Sequence, residues 1–244
     1  MNNNTLYIDA DVPLYRACFS AEEETDWGND LWTLHSNMAR AKEVFTQEIK
    51  GIQDEFPTGT PITLCFSGVE NFRKDLLESY KSNRKKVRKP MLLTPLKQWV
   101  LGQYSCCITE GLEADDLLGL NSDKGIMVSV DKDLRTVPGR HFNPDKPEEG
   151  TVTVSKEEAH YNHMYQTLCG DSTDGYKGCP TVGPVGAKKL LDCPPEAMWK
   201  AVVEAFDKKG IPEEEALVQA HLARILRGME WDYEAGKPRL WVPS

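Results

Sequence analysis

The 244-residue chain is acidic, with 38 Asp and Glu residues against 29 Lys and Arg residues and a formal net charge of −9 at pH 7. Its hydrophobic fraction of 40% and charged fraction of 27% are typical of a soluble globular protein. No stretch approaches about 18 uninterrupted apolar residues, and the N-terminus lacks the basic and apolar regions of a signal peptide. We therefore expect no membrane association and a cytoplasmic location. The seven cysteines include no C-x-x-C pair, so neither a zinc site nor a disulfide framework is expected.

The pattern of apolar residues predicts an α/β fold with a mostly parallel central sheet and flanking helices. Apolar runs of strand length occur at 6–8, 62–66, 106–109 and 126–130. Helices are predicted, in chain order, at about 31–56, 113–120, 155–169, 195–208 and 212–228. Ligands are expected at the carboxyl ends of the strands. Because helices dominate after residue 150, we predict an α/β core at 1–150 and a helical region at 151–244.

A basic segment interrupts the acidic chain between the second and third predicted strands. It holds eight Lys or Arg residues, namely Arg73, Lys74, Lys81, Arg84, Lys85, Lys86, Arg88 and Lys89. Such a run is either a solvated helix face or a local phosphate-binding segment on an otherwise acidic protein. Both interpretations stay open from the composition of the segment alone.

Acidic residues recur in short clusters at the predicted ends of strands and helices. The eight candidates are Asp9, Glu113, Asp115, Asp116, Asp131, Asp133, Asp171 and Asp174. Asp9 ends the first strand. Glu113 and Asp116 are one helical turn apart, so we expect them to share a helix face. Asp131 and Asp133 would point the same way in an extended chain.

The grouping of these carboxylates indicates bound metal. Carboxylates gathered in one place repel and raise one another's pKa unless a cation lies between them. All-oxygen ligation favours Mg²⁺ or Mn²⁺ over zinc, and two such ions about 4 Å apart would suit attack of water on a phosphodiester. The alternative, in which Asp and Glu are helix caps or surface residues, is favoured for any single pair. Four groups at the ends of elements favour the metal site.

Taken in order, these motifs resemble those of the 5′-nuclease superfamily of flap endonucleases and 5′→3′ exonucleases, closest in style to the phage exonucleases. The resemblance covers most of residues 5–193. The matching motifs are Tyr7-Ile8-Asp9 with Tyr15-Arg16, Phe72-Arg73-Lys74, Tyr80 to Arg84, Leu112 to Asp116, Ser129 to Asp133, Gly170 to Gly175 and Thr181 to Lys188. One motif alone is weak, whereas the ordered set is specific.

The resemblance implies the architecture and the metals of the site. It implies a PIN-like nuclease core with a basic helical arch at about 71–95, and a helix–hairpin–helix-like motif for DNA at about 171–193. One metal region would comprise Asp9, Glu113, Asp115 and Asp116, and the other Asp131, Asp133, Asp171 and Asp174. The implied cofactors are two Mg²⁺ or Mn²⁺ ions, with K⁺ at the helical hairpin.

Roles in catalysis and DNA binding follow from the same resemblance. It assigns catalysis to Lys81, Arg84, Asp9 and Asp115, with the two cations stabilising charge at the scissile phosphate. Tyr80 would stack on a base near the 5′ end. The implied DNA-binding set is Arg73, Tyr80, Lys81, Arg84, Lys85, Lys86, Gly183, Gly186, Lys188 and Lys189. The expected substrate is DNA with a 5′ end, flap or gap, or an RNA–DNA hybrid, cut by a monomer in the cytoplasm of a bacterium or phage-infected host.

Two positions depart from the pattern of the family. Gly68 follows the second strand where the family usually has an aspartate, which predicts a weaker first metal site unless Glu70 substitutes. Thr181 stands where glycine is common. We expect its φ to stay negative, because a β-branched residue avoids positive φ.

Two rival functions fit part of the same motifs. Asp9-Ala10-Asp11, Ser67 and Gly170-Asp171 resemble motifs of a haloacid-dehalogenase-type phosphatase. That interpretation leaves the central carboxylates and the basic segment unexplained, so Asp11 is better interpreted as a helix N-cap. The second rival is a catalytically silent DNA-junction binder, which the missing carboxylate at Gly68 favours.

Overall fold

The structure, a computed structural model, describes residues 4–243 apart from the side chain of Lys85. The strands are, in chain order, β1 (Thr5–Asp9), β2 (Glu22–Asp26), β3 (Trp32–Ser36), β4 (Ile62–Asn71), β5 (Cys106–Gly111), β6 (Gly125–Val128), β7 (Gly139–Phe142), β8 (Thr151–Val154), β9 (Trp231–Asp232) and β10 (Lys237–Pro238). The α-helices are α1 (Asp11–Ser20), α2 (Met38–Asp54), α3 (Arg73–Leu76), α4 (Leu93–Gln103), α5 (Ala114–Leu120), α6 (Lys156–Cys169), α7 (Pro184–Leu190), α8 (Pro195–Asp207) and α9 (Glu213–Ala223).

The central sheet, as far as the described residues go, has six strands in the order β5-β4-β1-β6-β7-β8. β1 pairs in parallel with β4 on one side and with β6 on the other, and the β7–β8 pair at one edge is antiparallel. The predicted mostly parallel sheet with flanking helices is confirmed. The parallel arrangement brings the carboxyl ends of β4, β1 and β6 to the same side of the sheet, where ligands of such sheets bind.

The central strands are buried on both faces, which explains their nearly continuous apolar sequences. On one face, Leu6 and Ile8 of β1 pack with Phe45 of α2 in the larger cluster of buried residues. On the other face, Met127 of β6 packs with Leu117 of α5 in a second cluster. The start of α5, which carries several of the acidic candidates, is thereby fixed against the sheet.

The helix predicted at 31–56 is wrong over its first residues. α2 begins at Met38, and the side chain of Asn37 caps it by accepting the N–H of Ala39 at 3.0 Å. Before that cap, β2 and β3 form an antiparallel hairpin with Asp26 opposite Trp32. Apolar and polar side chains alternate through β3 with a period of two, which is the strand pattern rather than the helical one.

The basic segment predicted as a helical arch contains little helix. α3 has four residues, and Ser82–Lys86 forms a short 3₁₀ segment. The segment is anchored on the loop after α6, because the N–H of Lys81 donates to the carbonyl of Asp174 at 2.8 Å. The side-chain amide of Asn83 donates to the carbonyl of Thr173 at 3.1 Å.

The C-terminal half is helical, with its own cluster of buried residues between α6, α7, α8 and α9. Ser155 is the N-cap of α6, as predicted, and its hydroxyl accepts the N–H of Glu158 at 3.0 Å. α9 ends at Ala223 rather than near residue 228. The domain boundary at residue 150 stays a prediction, although β8 beyond it still pairs with β7. Within residues 4–243, every helix is too short or too polar to span a lipid bilayer.

Candidate active site

Asp9 lies where the ends of β1 and β6 meet, and its side chain is fixed there. The residue is only 9% exposed. Its Oδ2 accepts the hydroxyl of Ser129 at 3.2 Å, and its Oδ1 accepts the N–H of Asp11 at 3.1 Å. Asp11 itself is the first residue of α1, with Ala10 at the cap position, so its predicted role as N-cap is wrong.

Several carboxylates lie close enough to one another to alter their ionisation. Burial raises the pKa of Asp9, and the neighbouring carboxylate of Asp11 raises it further. Burial also raises the pKa of Asp115 well above its ordinary value, and the charges of Asp9, Asp131 and Glu113 add to that effect. A cation bound among such groups would favour their ionised forms.

Asp115 carries a buried oxygen that has no partner. Its Oδ1 accepts no hydrogen bond from any residue in the described part of the chain. An unsatisfied buried polar group of this kind costs about 1–3 kcal/mol, and more when it is charged. Carboxylate oxygens are the ligands that hard divalent cations prefer. The groups around Asp115 therefore fit a divalent cation.

Glu113 precedes α5 in an extended conformation, as the N-cap residue. Although Glu113 stands just before the helix, its carboxylate and that of Asp116 lie side by side, 3.4 and 2.8 Å from the same nitrogen, Arg73 Nη1. Its carboxylate contacts the ammonium group of Lys81, and the hydroxyl of Tyr80 lies 3.0 Å from its Oε2. Burial acts to raise the pKa of Glu113, but the charges of Lys81 and Arg73 outweigh it and hold the pKa at about 2.

Asp116 and Arg73 form a buried, two-pronged ion pair with distances of 2.7 and 2.8 Å. The N–H groups of Leu226 and Glu113 donate to the same two carboxylate oxygens. With both oxygens occupied twice, Asp116 has no position left for a metal ion. Arg73 is 2% exposed and does not reach the surface that would meet DNA. The structure thus corrects both predicted roles, because the pair serves to hold the fold together.

Tyr80 is also buried, with 3% of its surface exposed. Its hydroxyl lies 3.0 Å from Glu113 Oε2 and 3.0 Å from Asp174 Oδ2, and its single proton can be donated to one of them. A ring in this position is not available to stack on a nucleobase. The predicted stacking role is therefore corrected, and Tyr80 instead links two acidic residues of the site.

The residues of the second predicted metal region lie in the segments that follow β6 and α6. Asp131 follows β6, and its Oδ1 accepts the N–H of Asp133 at 2.8 Å. Burial raises the pKa of Asp133 to about 7, with the charges of Asp131 and Asp171 adding to the effect. Asp171 Oδ1 accepts the N–H of Thr173 at 2.6 Å. Asp131, Asp133 and Asp171 thus lie near one another, whereas Asp174 faces the basic segment.

Lys81 and Arg84 of the basic segment contact acidic residues of the site directly. The Lys81 ammonium group lies between Glu113 and Asp174, and Arg84 Nη2 lies 2.6 Å from Asp174 Oδ1. Lys81 has a φ of 53°, which is uncommon for a residue with a side chain. Among residues 4–243, no three Asp, Glu, His or Cys side chains are already gathered around one point for a metal ion. Ions at these carboxylates would therefore require side chains to rearrange.

The remaining predicted DNA contacts lie at the surface. The exposed side chains are those of Lys86 in the basic segment and of Lys188 and Lys189 on α7. Gly183 is the cap residue of α7, and Gly186 lies in its first turn. The side chain of Lys85 lies outside the described residues.

The hydrogen bonds that two serines make at the site were not predicted from the sequence. Ser129 donates its hydroxyl to Asp9, and Ser67 Oγ accepts the N–H of Ala114 at 3.1 Å at the start of α5. The available signal was position: Ser129 is the polar residue within the apolar run 126–130, and Ser67 directly follows the apolar part of β4.

Known proteins resemble this chain over most of its length. No protein-family model matches it. The exodeoxyribonuclease of Enterobacteria phage T3 is 28% identical over 98% of this chain and 92% of its own length. The exonuclease of Escherichia phage T7 is 27% identical over 98% of this chain and 93% of its own length.

Solved structures share the fold at low sequence identity. The T5 5′-exonuclease with divalent zinc ions bound has a TM-score of 0.58 and 14% identity, over 90% of this chain and 88% of its own. The catalytic core of Rad2 in complex with a DNA substrate has a TM-score of 0.53 and 14% identity, over 98% of this chain and 83% of its own.

The chain is thus similar in sequence to phage exonucleases and shares the fold of the T5 5′-exonuclease.

The departure from the expected pattern at Gly68 has a steric reason. A Cβ atom at Gly68 would lie 2.8 Å from the carbonyl oxygen of Thr109 and 3.2 Å from Glu110 Cα, both in the backbone of β5. Any side chain there, including that of Asp, requires β4 and β5 to move apart. The side chain of Glu70 is 72% exposed and paired with Lys74, so it does not take the place of the missing carboxylate.

Thr181 has a φ of 66°, so the prediction that its φ stays negative is wrong. The left-handed conformation costs a residue with a Cβ atom about 1–2 kcal/mol. The turn before α7 therefore has a backbone conformation that favours glycine, and the threonine found there lowers the stability of the fold.

Proposed function

We propose that the chain is a divalent-metal-dependent nuclease that hydrolyses phosphodiesters near free 5′ ends, as a 5′→3′ exonuclease and flap endonuclease. The observation that carries the proposal is the buried, unpartnered Asp115 Oδ1 among the charges of Asp9, Asp131 and Glu113. Lys81 of the basic segment contacts Glu113 at the same place. Similarity to two phage exonucleases over nearly the full length of the chain supports the same activity.

The proposed cofactors are two Mg²⁺ or Mn²⁺ ions. Asp9, Glu113 and Asp115 would hold one metal region, and Asp131, Asp133, Asp171 and Asp174 would hold the other. When bound, the ions would supply an activated water and neutralise charge on the phosphate. Lys81 and Arg84 lie at the same carboxylates and are therefore placed to stabilise negative charge on the scissile phosphate.

The proposed substrate is DNA with a 5′ end, flap or gap, with an RNA–DNA hybrid also accepted, and the proposed active form is a monomer. The exposed Lys188 and Lys189 and the first turn of α7 after Gly183 would contact the duplex backbone, with K⁺ at the same turn. Contacts of this kind position a duplex without reading its sequence, so selectivity would be for structure. The two phage relatives support placing the activity in the cytoplasm of a bacterium or phage-infected host.

Incubation with a 5′-labelled flap and a 5′-labelled recessed duplex in Mg²⁺, Mn²⁺ or EDTA tests the proposal. Short 5′-labelled products in either metal and none in EDTA are expected. Binding without cleavage in both metals would instead support a catalytically silent DNA-junction binder. Hydrolysis of a generic phosphomonoester with no cleavage of DNA would support a phosphatase.

A further inference from the structure

β4 has no room at Gly68 for the carboxylate that the metal region lacks. The N–H of Gly68 donates to the carbonyl of Leu112 at 2.9 Å, which draws β4 against the residues that lead into α5. The three atoms nearest to a Cβ at this position would all belong to the backbone of residues 109–112. The absence of a side chain at Gly68 therefore allows the backbone of β4 to lie close to the backbone of residues 109–112.

Asp11 places a carboxylate beside the same part of β4. Its Oδ2 accepts the N–H of Ser67, the residue before Gly68, at 3.0 Å. Ser67 Oγ in turn accepts the N–H of Ala114 at the start of α5. Asp11 is thereby tied to both elements that shape this part of the site, β4 and the helix that carries Asp115.

The other oxygen of Asp11 is not engaged by the protein. Among the described residues, no donor bonds to Asp11 Oδ1. Asp9 is its direct neighbour, since the N–H of Asp11 donates to Asp9 Oδ1 at 3.1 Å. Asp115, whose Oδ1 is buried and unpartnered, interacts with Asp9 as well. Asp9 thus has two neighbouring carboxylates, each with an unused oxygen.

We propose that Asp11 is an additional oxygen donor to the divalent-cation region and supplies the carboxylate that position 68 cannot. The inference rests on the proposed metal-dependent function. The cation that Asp11 would bind is a hard divalent ion such as Mg²⁺ or Mn²⁺, which prefers carboxylate oxygens as ligands. Asp11 acts beside Asp9, while its Oδ2 keeps β4 in place through the N–H of Ser67.

Isothermal titration calorimetry with Mn²⁺ tests this assignment. The proteins compared are the full-length wild type, Asp11→Asn and Asp207→Asn. Asp207 is an exposed residue at the end of α8 and serves as the matched control. Asn at position 11 still accepts the N–H of Ser67 but carries no charge. We expect Asp11→Asn to bind Mn²⁺ about tenfold more weakly or worse, and Asp207→Asn to bind it as wild type does. The unfolding temperature in EDTA should not fall, because a like charge beside Asp9 is removed.

Equal Mn²⁺ affinity of wild type and Asp11→Asn would overturn the proposal. The double variant Asp11→Asn/Gly68→Asp gives a second test, in which no recovery of Mn²⁺ binding is expected and recovery would contradict the assignment. If wild type and Asp11→Asn bind Mn²⁺ and cleave DNA equally well, this inference is wrong and the proposed function still holds. Wild type that neither binds Mn²⁺ nor cleaves DNA would defeat both.

Discussion

The ammonium group of Lys81 lies 3.4 Å from Asp174 Oδ2, and the same group contacts the Glu113 carboxylate. Lys81 therefore neutralises two carboxylates that belong to the proposed metal regions. Because like charges repel at short range, a divalent cation at these carboxylates must compete with the ammonium group. The left-handed backbone of Lys81 is held by its own N–H bond to the Asp174 carbonyl, so the side chain stays near the site.

Replacement of Lys81 separates its two effects. We expect Lys81→Met to lower kcat by about 100-fold, because one charge that stabilises the transition state is lost. Its Mn²⁺ affinity should stay equal to that of wild type or rise, because the competing cation is gone. Single-turnover cleavage and calorimetry measure the two quantities. Lys200→Met, on the exposed surface of α8, is the control, and a fall in Mn²⁺ affinity for Lys81→Met would contradict the competition.

The buried pair of Arg73 and Asp116 should dominate the stability of the region around α5. We expect Arg73→Met to lower the free energy of unfolding by about 3–5 kcal/mol, because it leaves a buried carboxylate without its partner. The exposed pair of Arg135 and Glu158, 3.8 Å apart, gives the comparison, and Arg135→Met should cost about 1 kcal/mol or less. Urea unfolding measures both. Equal small losses would show that the buried pair does not anchor the fold.

The parts of the site that depend on local sequence could be predicted. The apolar run before Asp9 requires a buried strand, and the first carboxylate after such a strand lies at the edge of the sheet. The same reasoning located Glu113 and Asp131 at the ends of their elements. In each case the pattern that forms the element also determines where its last side chain lies.

Features that depend on distant partners could not be predicted in this way. Arg73 and Asp116 are 43 residues apart, and no local pattern indicates that one arginine of a basic run is buried. Tyr80 and Asp174 are 94 residues apart. The steric role of Gly68 depends on how closely the backbone of β5 approaches β4. Each of these is a tertiary contact that overrides local expectation.

The positive φ of Thr181 predicts that glycine at this position is stabilising. We expect Thr181→Gly to raise the free energy of unfolding by about 1 kcal/mol, because the left-handed conformation has no steric cost for glycine. Thr181→Ala keeps a Cβ atom and should recover less than half of that gain. Urea unfolding of the three proteins measures the differences. A loss of stability in Thr181→Gly would contradict the assigned strain.

The raised pKa values predict how metal-free stability depends on pH. The pKa of Asp133 is about 7 in the folded protein, and burial also raises those of Asp9 and Asp115. The folded state therefore holds protons that the unfolded state has released. This contribution to stability is present below pH about 4, the ordinary pKa of Asp, and is lost as the pH rises to about 7.

Divalent metal should oppose the loss of stability at higher pH, because it binds the ionised carboxylates. We expect Mn²⁺ to raise the unfolding temperature more at about pH 8 than at about pH 5, whereas in EDTA the temperature should fall between these values. Thermal unfolding followed by circular dichroism measures all four conditions. An equal effect of Mn²⁺ at both values would show that these carboxylates do not bind the metal.

The most direct test of the proposed nuclease is the cleavage of a 5′-labelled recessed duplex by wild type and Asp115→Asn in Mn²⁺. Asp115→Asn removes the charge of the carboxylate whose Oδ1 is buried and unpartnered. We predict that cleavage falls by more than about 100-fold, since even the outer partners of metal ligands contribute about 10–100-fold. Binding of the duplex in EDTA should stay equal to that of wild type. Cleavage by Asp115→Asn at the wild-type rate would contradict the account.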